Sequence, residues 1–325
     1  MTNLIVRNKP IVLAYVGLLP LVILTATFSP GFLSESSLRS TVILAAFVGI
    51  VVIGQSFVIF GGGIDLSIPW VLNAAAIIMT FTAAGNDLAL PWIIPMVLAA
   101  GGLAGLVNGI GIAVLKVPAI IMTLATDIII QGLVLVFTGG APSPSAPSFI
   151  QFMAVGRVGG FPVIAVLWLV LIALVTIALS KTAFGRHLYA VGGSAAVAEH
   201  SGVPVARTII LTYVISGVTA AIAGMLLTGY SRQAYLGMGD SYLFTSVATV
   251  ALGGASILGG NGHYIGTVAG ALVLTVLSGL LPALNLSSGA LLVVYGAIIL
   301  VTVAISSEAM TNLLSLLPQR RNKKP

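Results

Sequence analysis

The sequence has 325 residues, of which 58% are hydrophobic and 6% are charged, and its formal net charge is +6. Because a soluble domain carries about 25% charged residues, this composition excludes a soluble globular protein and indicates a chain that crosses a membrane many times. There is no cysteine, which excludes disulfides, thiolate catalysis and cysteine-ligated metals, and the three scattered histidines lack metal-ligand spacing.

Ten apolar runs are candidate membrane spans, since a helix needs about 20 apolar residues to cross the hydrocarbon of a bilayer. They cover about residues 11–29, 40–60, 67–84, 90–115, 118–138, 161–180, 208–229, 243–259, 264–281 and 289–306. We predict an all-α integral membrane protein that forms a single transmembrane domain over residues 1–325. Glycines predict broken or re-entrant helices near residues 61–67 and 253–263.

The placement of lysine and arginine predicts the orientation, because these residues concentrate on the cytoplasmic side of a membrane. With both termini in the cytoplasm, ten basic residues face the cytoplasm and three face outward. The first group is Arg7, Lys9, Lys116, Lys181, Arg186, Arg207, Arg320, Arg321, Lys323 and Lys324, and the second is Arg39, Arg157 and Arg232. These residues lie near helix ends and termini, so the positive charge indicates topology rather than nucleic-acid binding.

The first informative motif is GGGIDLS, which runs from Gly61 through Gly62 and Gly63 to Asp65 and Ser67. Three consecutive glycines do not continue a helix comfortably, and they allow other backbone segments to approach closely. A carboxylate near a span is costly unless it is hydrated, paired or capping a helix. The motif is therefore interpreted as a translocation or gating element, although Asp65 itself could simply cap the next helix in interfacial water.

The run from Ala99 to Thr126 places Gly101, Gly105 and Gly109 on one helix face, with Asn108 beside them. Small residues at this spacing are typical of closely packed membrane helices. We expect this face to serve mainly for packing.

Asp127 is an acid well inside an apolar run. An intramembrane acid is a functional candidate. It could instead be neutral, or bonded to Thr123 or Gln131, each one helical turn away. Both interpretations remain open.

The second broken stretch runs from Leu252 to Gly270 and contains Gly253 and Gly254. Its glycine pairs interrupt the helix. His263 lies in the interruption, and because no other ionisable residue is near it in sequence, an interfacial position is favoured over a proton relay.

The segment 181–207 is polar between two apolar runs. Ser194 is suited to cap a short helix over Ala195–Ser201, and Gly202 with Pro204 is suited to end it. A helix of this length is marginal in water, so we expect it to fold against a soluble partner on the cytoplasmic side. The alternative is an ordinary loop.

Two further segments lie outside the spans. Residues 139–160 include APSPSAPS and are expected to form an extended periplasmic loop over the membrane surface. Residues 318–325 form a basic cytoplasmic tail. The sequence has no G-x-x-x-x-G-K-[ST] phosphate loop, so any role driven by ATP needs a separate subunit.

Three segments together resemble the ribose-type ABC transporter permease family, whose members are membrane subunits of bacterial importers for monosaccharides and autoinducer-2. They are GGGIDLS, GRHLYAVGGSAAVAEHSGVPV and ALGGASILGGNGHYIGTVAGALVL. The stretch from Gly105 to Thr123, which includes VPAIIMT, is similar as well. The resemblance is colinear from about residue 40 to about residue 305, which is nearly the whole chain.

The resemblance implies a transmembrane permease domain with a fold of about ten helices, acting as a homodimer or as a heterodimer with a second permease subunit. It implies a cytoplasmic ATP-binding-cassette ATPase as partner, a periplasmic sugar-binding protein, and residence in the bacterial inner membrane with cytoplasmic termini. This chain would bind no cofactor and catalyse no reaction, since ATP and Mg belong to the ATPase. The segment 181–207 would be a cytoplasmic coupling segment, and we use that name for it below; its residues 192–202 would seat on that ATPase.

Two sets of candidate site residues follow. The ATPase-coupling candidates are Gly192, Gly193, Ser194, Ala195, Ala196, Glu199 and Gly202. The candidates for the translocation pathway or its gating are Gly61, Gly62, Gly63, Asp65, Ser67, Asn108, Asp127, Gly253 and Gly254.

Two other functions remain as alternatives. An ion-coupled secondary transporter would use Asp65 or Asp127 to bind the coupling ion. A passive channel would need neither acid. The long polar segment 181–207 and the scarcity of acids near the spans favour the ATP-driven importer over both.

Overall fold

The computed structural model describes residues 9–141 and 144–306, and within them the chain is almost entirely helical. The first helices are α1 (Lys9–Phe28), α2 (Glu35–Phe60), α3 (Ile68–Ala83), α4 (Leu90–Ala113), α5 (Ala119–Thr138) and α6 (Ser148–Val155). The later ones are α7 (Val163–Lys181), α8 (Ala183–Gly193), α9 (Ala195–His200), α10 (Val205–Ser231), α11 (Tyr242–Leu252), α12 (Tyr264–Ala283) and α13 (Ser288–Ser306). A short 3₁₀ helix (Asp87–Ala89) precedes α4, and β1 (Arg157–Val158) pairs antiparallel with β2 (Phe161–Pro162) before α7.

Six helical stretches in the described part of the chain are long and apolar enough to cross a membrane. They are α2, α4 with its 3₁₀ turn, α5, α7, α10 and α12. Shorter apolar helices occupy the other four predicted spans, in α1, α3, α11 and α13. The all-α membrane class is therefore confirmed, whereas the count of about ten spans stays a prediction.

Helices α2 and α10 form the centre of the molecule. The most apolar 18-residue stretch of α2 is 83% buried. That of α5 is only 17% buried and faces the surroundings of the subunit. The predicted glycine face of α4 packs on α10, as expected. A Cβ atom at Gly101 or Gly105 would overlap the α10 backbone at Gly217 or Tyr213, so the small residues set the close approach of the two helices.

The two ends of α10 define the two faces of the molecule. Its first residue, Val205, follows α9, and we call the face that carries α8 and α9 the inner face. Near its other end, Gly229 packs against Ile150 of α6, and we call the face that carries α6 the outer face. The names describe the fold, and the cytoplasmic assignment of the inner face stays a prediction.

The outer loop 139–160 differs from its predicted extended form. It contains α6 and β1, and β1 pairs with β2 immediately after the loop. Helix α6 forms because Ile150 and Ala154 bury one of its faces against α10. This apolar contact is not predictable from the proline-rich local sequence. The basic tail, 318–325, lies outside the described residues.

Two helix breaks position the candidate site. Helix α2 ends at Phe60 on the inner side, and α3 begins only at Ile68. Helix α10 ends on the outer side, and residues 232–241 then return without helical structure to the start of α11. The predicted span 243–259 is thus an 11-residue half-helix, α11, with irregular backbone on both sides, and the outer return 232–241 was not predicted.

Candidate functional site: two helix breaks and the coupling segment

The inner break, residues 61–67, is organised around a buried carboxylate. Asp65 is 2% exposed. Its Oδ1 accepts hydrogen bonds from the backbone N–H of Ser67 at 2.9 Å and from the Ser67 hydroxyl at 2.6 Å. Its Oδ2 accepts one from the hydroxyl of Ser216, in the middle of α10, at 2.6 Å. Asp65 therefore holds the start of α3 against α10, and it does not sit in interfacial water.

The network continues into α4 and α5. Asn108 donates from Nδ2 to the Ser67 hydroxyl at 2.8 Å, and its Oδ1 accepts from the Thr126 hydroxyl at 2.6 Å. The backbone N–H of Leu66 donates to the Thr123 hydroxyl at 3.1 Å. Irregular backbone at membrane depth persists only where its polar groups are hydrogen-bonded. Here the side chains of α4 and α5 provide such hydrogen bonds to residues of the inner break.

Asp127 has a partner that the sequence did not suggest. Its Oδ1 accepts from the backbone N–H of Trp70 at 3.2 Å, rather than bonding to Thr123 or Gln131. Asp65 and Asp127 thus both accept hydrogen bonds from backbone N–H groups at the start of α3, from its N-cap residue Ser67 and from Trp70 in its first turn. The helix dipole favours negative charge at this end. Asp127 also lies within electrostatic reach of Asp65 and of Asp240.

The glycines of the inner break meet the coupling segment. A Cβ atom at Gly192, near the end of α8, would overlap the carbonyl oxygen of Phe60 and lie 2.6 Å from the backbone nitrogen of Gly260. That nitrogen donates to the Phe60 carbonyl at 3.0 Å. Gly62 has a φ of +84°, and its Cα is among the atoms nearest Gly259. We call the contact of Phe60–Gly62, Gly192 and Gly259–Gly260 the glycine junction.

Beyond the junction, α9 projects away from the rest of the subunit. Ser194 caps it by accepting a hydrogen bond from the backbone N–H of Val197 at 3.4 Å. Gly202 follows it with a left-handed φ of +79°, the conformation that a glycine ending a helix commonly adopts. Ala195, Ala196 and Glu199 are exposed, and Val197 is 65% exposed, so the helix presents an apolar tip. Its local punctuation is as predicted, whereas the preceding 11-residue helix α8 was not predicted.

Gly253 and Gly254 have a packing role. A Cβ atom at Gly253 would lie 2.5 Å from the backbone nitrogen of Thr267 in α12, and Gly254 has a φ of +85° in the turn that ends α11. They belong to the same irregular segment as Gly260, but they lie between α11 and α12 and are not among the residues of the glycine junction.

His263 caps α12, since its Nδ1 accepts from the backbone N–H of Ile265 at 3.3 Å. The side chain is partly buried, and burial lowers the pKa of His263 because it disfavours the charged imidazolium. The neutral ring is therefore the form that caps the helix.

The outer return, residues 232–241, contains an acid that sequence reasoning missed. Asn73 of α3 donates from Nδ2 to the carbonyl of Tyr235 at 3.1 Å, and a Cβ atom at Gly239 would overlap the carbonyl oxygen of Pro69. The return therefore descends beside α3 to the level of its first turn and places Asp240 there. The sequence contains a signal that could have identified Asp240, because Asp240 and Ser241 precede a short helix much as Asp65 and Ser67 do.

Among the described residues, no three His, Asp or Glu side chains come together as a metal-binding group. The acids near the breaks act instead on backbone N–H groups and hydroxyls, or, in the case of Asp240, face an open cavity.

Comparisons with known proteins give consistent findings. The family model for the permease component of branched-chain amino acid transport systems matches residues 37–303. The chain is 35% identical to the ribose import permease protein RbsC of Bacillus subtilis over 90% of its own length and 92% of the relative. It is 30% identical to the RbsC protein of Escherichia coli K12 over 90% of its length and 92% of that relative. It is 32% identical to the autoinducer 2 import system permease protein LsrD of Yersinia pseudotuberculosis over 68% of each chain. No solved structure matches the chain significantly.

Proposed function

The chain belongs to the family of permease components typified by branched-chain amino acid transport systems, and from this premise we propose that it is the membrane subunit of an ATP-binding-cassette importer. Its cargo is a monosaccharide or a related small polar solute, as the names of its ribose and autoinducer-2 relatives suggest. A periplasmic binding protein delivers the cargo, and separate cytoplasmic ATPase subunits supply the energy. A second permease subunit, identical or paralogous, completes the pathway.

The observation that carries the proposal is the form of the coupling segment, which is free at its tip and tightly packed at its base. The tip, α9, exposes small and apolar side chains, including Ala196 and Val197. The base, Gly192, is packed against Phe60 and Gly260 without room for a side chain. A partner that moves α9 would therefore move the glycine junction with it.

The junction leads directly to the membrane interior. Gly61 directly follows α2, and only three residues separate it from Asp65, which binds Ser216 at the middle of α10. A displacement of the inner break changes the position of α3 relative to α10, because the Asp65 network joins them. On this proposal ATP-driven motion of the coupling segment opens and closes the pathway by moving the first turn of α3.

An ion-coupled transporter is less well supported by the same contacts. Asp65 accepts three hydrogen bonds from protein groups, so a coupling ion would have to displace them. Asp127 already accepts from the Trp70 backbone. Both acids have a sufficient structural reason to be present.

Two glycines in different surroundings test the proposal. Gly192→Ala places a Cβ against Phe60 and Gly260, whereas Gly132, in α5 and outside the coupling candidates, has open space around it, so Gly132→Ala is the matched control. Each full-length variant is expressed with the candidate ATPase and binding protein and reconstituted in lipid. We expect Gly192→Ala to reduce binding-protein-stimulated ATP hydrolysis and solute uptake by about tenfold or more, which corresponds to at least about 1.4 kcal/mol, while Gly132→Ala retains both.

The contradicting outcomes are equally definite. If Gly192→Ala is present at normal membrane levels and retains both activities, the junction does not transmit coupling. If the wild-type chain takes up solute without the ATPase and a protonophore abolishes that uptake, the secondary-transporter alternative replaces the importer.

A further inference from the structure

A large cavity opens between the outer ends of five elements and belongs to neither the Asp65 network nor the glycine junction. Its volume is about 770 Å³, within the roughly 300–1,000 Å³ of small-molecule sites. The α1–α2 connection, α2, the start of α11, the outer end of α12 and α13 enclose it. It extends from Ser29, near the outer surface, to Val48, in the middle of α2, and to Asp240 at the end of the outer return.

Several polar groups around this cavity have no partner in the described part of the chain. The carboxylate of Asp240 accepts no hydrogen bond and forms no ion pair there, and the hydroxyls of Ser29, Ser37 and Ser241 donate none. By contrast, the hydroxyl of Thr245, on the same wall, donates to the Ser241 carbonyl at 2.6 Å. The unpartnered groups supply one strong acceptor and three hydroxyls that both donate and accept.

Much of the remaining wall is apolar or aromatic, with Phe32, Tyr242 and Tyr295 among its residues. Aromatic rings offer flat apolar faces, on which the C–H face of a sugar ring packs. None of the described residues lining the cavity is a lysine, arginine or histidine. A solute carboxylate or phosphate would therefore meet Asp240 without any compensating positive charge, and burying an unpaired charge is costly.

We propose that this cavity is a binding site for a neutral polyhydroxylated solute, a monosaccharide in its ring form, on its way inward from the outer face. The inference rests on the proposed import function and deepens it by naming where the solute sits and which class fits. At the floor of the cavity, the Asp240 carboxylate accepts hydrogen bonds from ring hydroxyls, and the Ser241 hydroxyl both donates and accepts them. The hydroxyls of Ser29 and Ser37 do the same nearer the entrance.

The position of the floor gives the site a mechanical consequence. Asp240 follows Gly239, which packs against Pro69 in the first turn of α3, and Asp65 holds Ser67, the N-cap residue of the same helix. A motion of α3 that starts at the glycine junction reaches the solute through the contact of Gly239 with Pro69. Helix α3 thereby links the solute site to the coupling segment.

The absence of cysteine from the whole sequence permits a direct test with single cysteines. Ser37→Cys and Ser241→Cys place a thiol in the cavity wall. Ser36→Cys is the matched control, since Ser36 is the exposed neighbour of Ser37 and does not line the cavity. Each full-length variant, in spheroplasts with its partner proteins, is treated with a cationic, membrane-impermeant methanethiosulfonate, and the labelling rate is measured.

We expect all three thiols to be labelled from outside. At least one of D-ribose, D-xylose, L-arabinose and D-galactose should slow labelling of both cavity thiols about threefold or more, the reduction expected at twice its dissociation constant or above. L-Leucine and ribose 5-phosphate should not slow labelling, and the rate for Ser36→Cys should not change with any solute.

The proposal is overturned if the Ser36→Cys thiol is labelled while the cavity thiols react only with a lipophilic maleimide, which would identify a cavity filled by lipid. It is also overturned if no neutral sugar protects, or if L-leucine protects as well as the best sugar. These failures are separable from failure of the importer. ATP-dependent uptake without protection contradicts the cavity alone, and protection without ATP-dependent uptake contradicts the proposed function alone.

Discussion

The inner break and the outer return are built alike, but the aspartate of each differs in burial and in hydrogen bonding. In each, an aspartate and a serine in irregular backbone precede a short apolar helix, α3 after Asp65 and α11 after Asp240. Asp65 is 2% exposed and accepts three hydrogen bonds. Asp240 is exposed to a cavity and accepts none from the described residues.

This difference separates a structural acid from an available one. A buried carboxylate persists only when its partners compensate the lost hydration, and the three donors to Asp65 provide that compensation. Asp240 keeps access to water or to a solute, and no comparable set of donors from the described residues holds it in place. Depth in the membrane alone therefore does not identify a functional acid, because its partners decide whether it is free to act.

The largest expected loss of stability comes from removing the buried carboxylate of the inner break. Asp65→Ala leaves the Ser67 and Ser216 hydroxyls and the Ser67 N–H buried without their acceptor, at a cost of about 3 kcal/mol. We expect a clear loss of thermal stability in detergent-purified protein, measured by tryptophan fluorescence or scanning fluorimetry. Asp240→Ala is the control, and it should keep wild-type stability while it lowers uptake.

Asp65→Asn refines the same measurement, because an amide retains one oxygen acceptor and should lose less stability than alanine does. If Asp240→Ala destabilises the protein as much as Asp65→Ala, the two acids are structurally equivalent and the comparison fails.

A smaller effect is expected from moving the outer return without altering Asp240. Gly239→Ala would place a Cβ against the carbonyl oxygen of Pro69, and overpacking of this kind costs about 1–3 kcal/mol. We expect a moderate loss of stability and a larger loss of uptake, since Asp240 shifts away from the floor of the cavity. Gly31→Ala, also near the outer surface, has open space around it and should change neither quantity. Equal uptake by the two variants would show that the Gly239 contact is incidental.

The smallest effect is the pH dependence of stability that His263 contributes. It belongs to the inner side of the molecule, since the outer return contains no histidine. Burial lowers the pKa of His263 below its usual 6.5, so the unfolded chain binds more protons than the folded one as pH falls through that range. The stability contributed by neutral His263 is therefore present above about pH 6.5 and decreases as pH falls towards the folded pKa. The other titratable groups lining the same small cavity are Tyr189 and Tyr264.

We expect the melting temperature to fall by on the order of 1 °C between about pH 7.5 and about pH 5.5. His263→Asn keeps a capping side chain without a titrating ring, and it should remove this part of the decrease. An unchanged pH dependence in His263→Asn would assign the decrease to other groups.

Local physics explains what the sequence by itself determined. Composition and hydropathy established an all-α membrane protein, because so few charges cannot cover a soluble surface. The cap at Ser194, the left-handed Gly202 and the interruption at Gly61–Gly63 were predictable, since each depends on the conformational preference of one residue and its immediate neighbours.

The tertiary structure decided which of these local features meet. Asp65 finds Ser216 at a separation of 151 residues, and Gly192 lies against both Phe60 and Gly260. The outer cavity needs residues from five separate elements, and α6 forms because α10 covers it. Hydrogen bonds, close backbone contacts and cavities depend on distances between remote parts of the chain, and neither hydropathy nor local conformational preference carries that information.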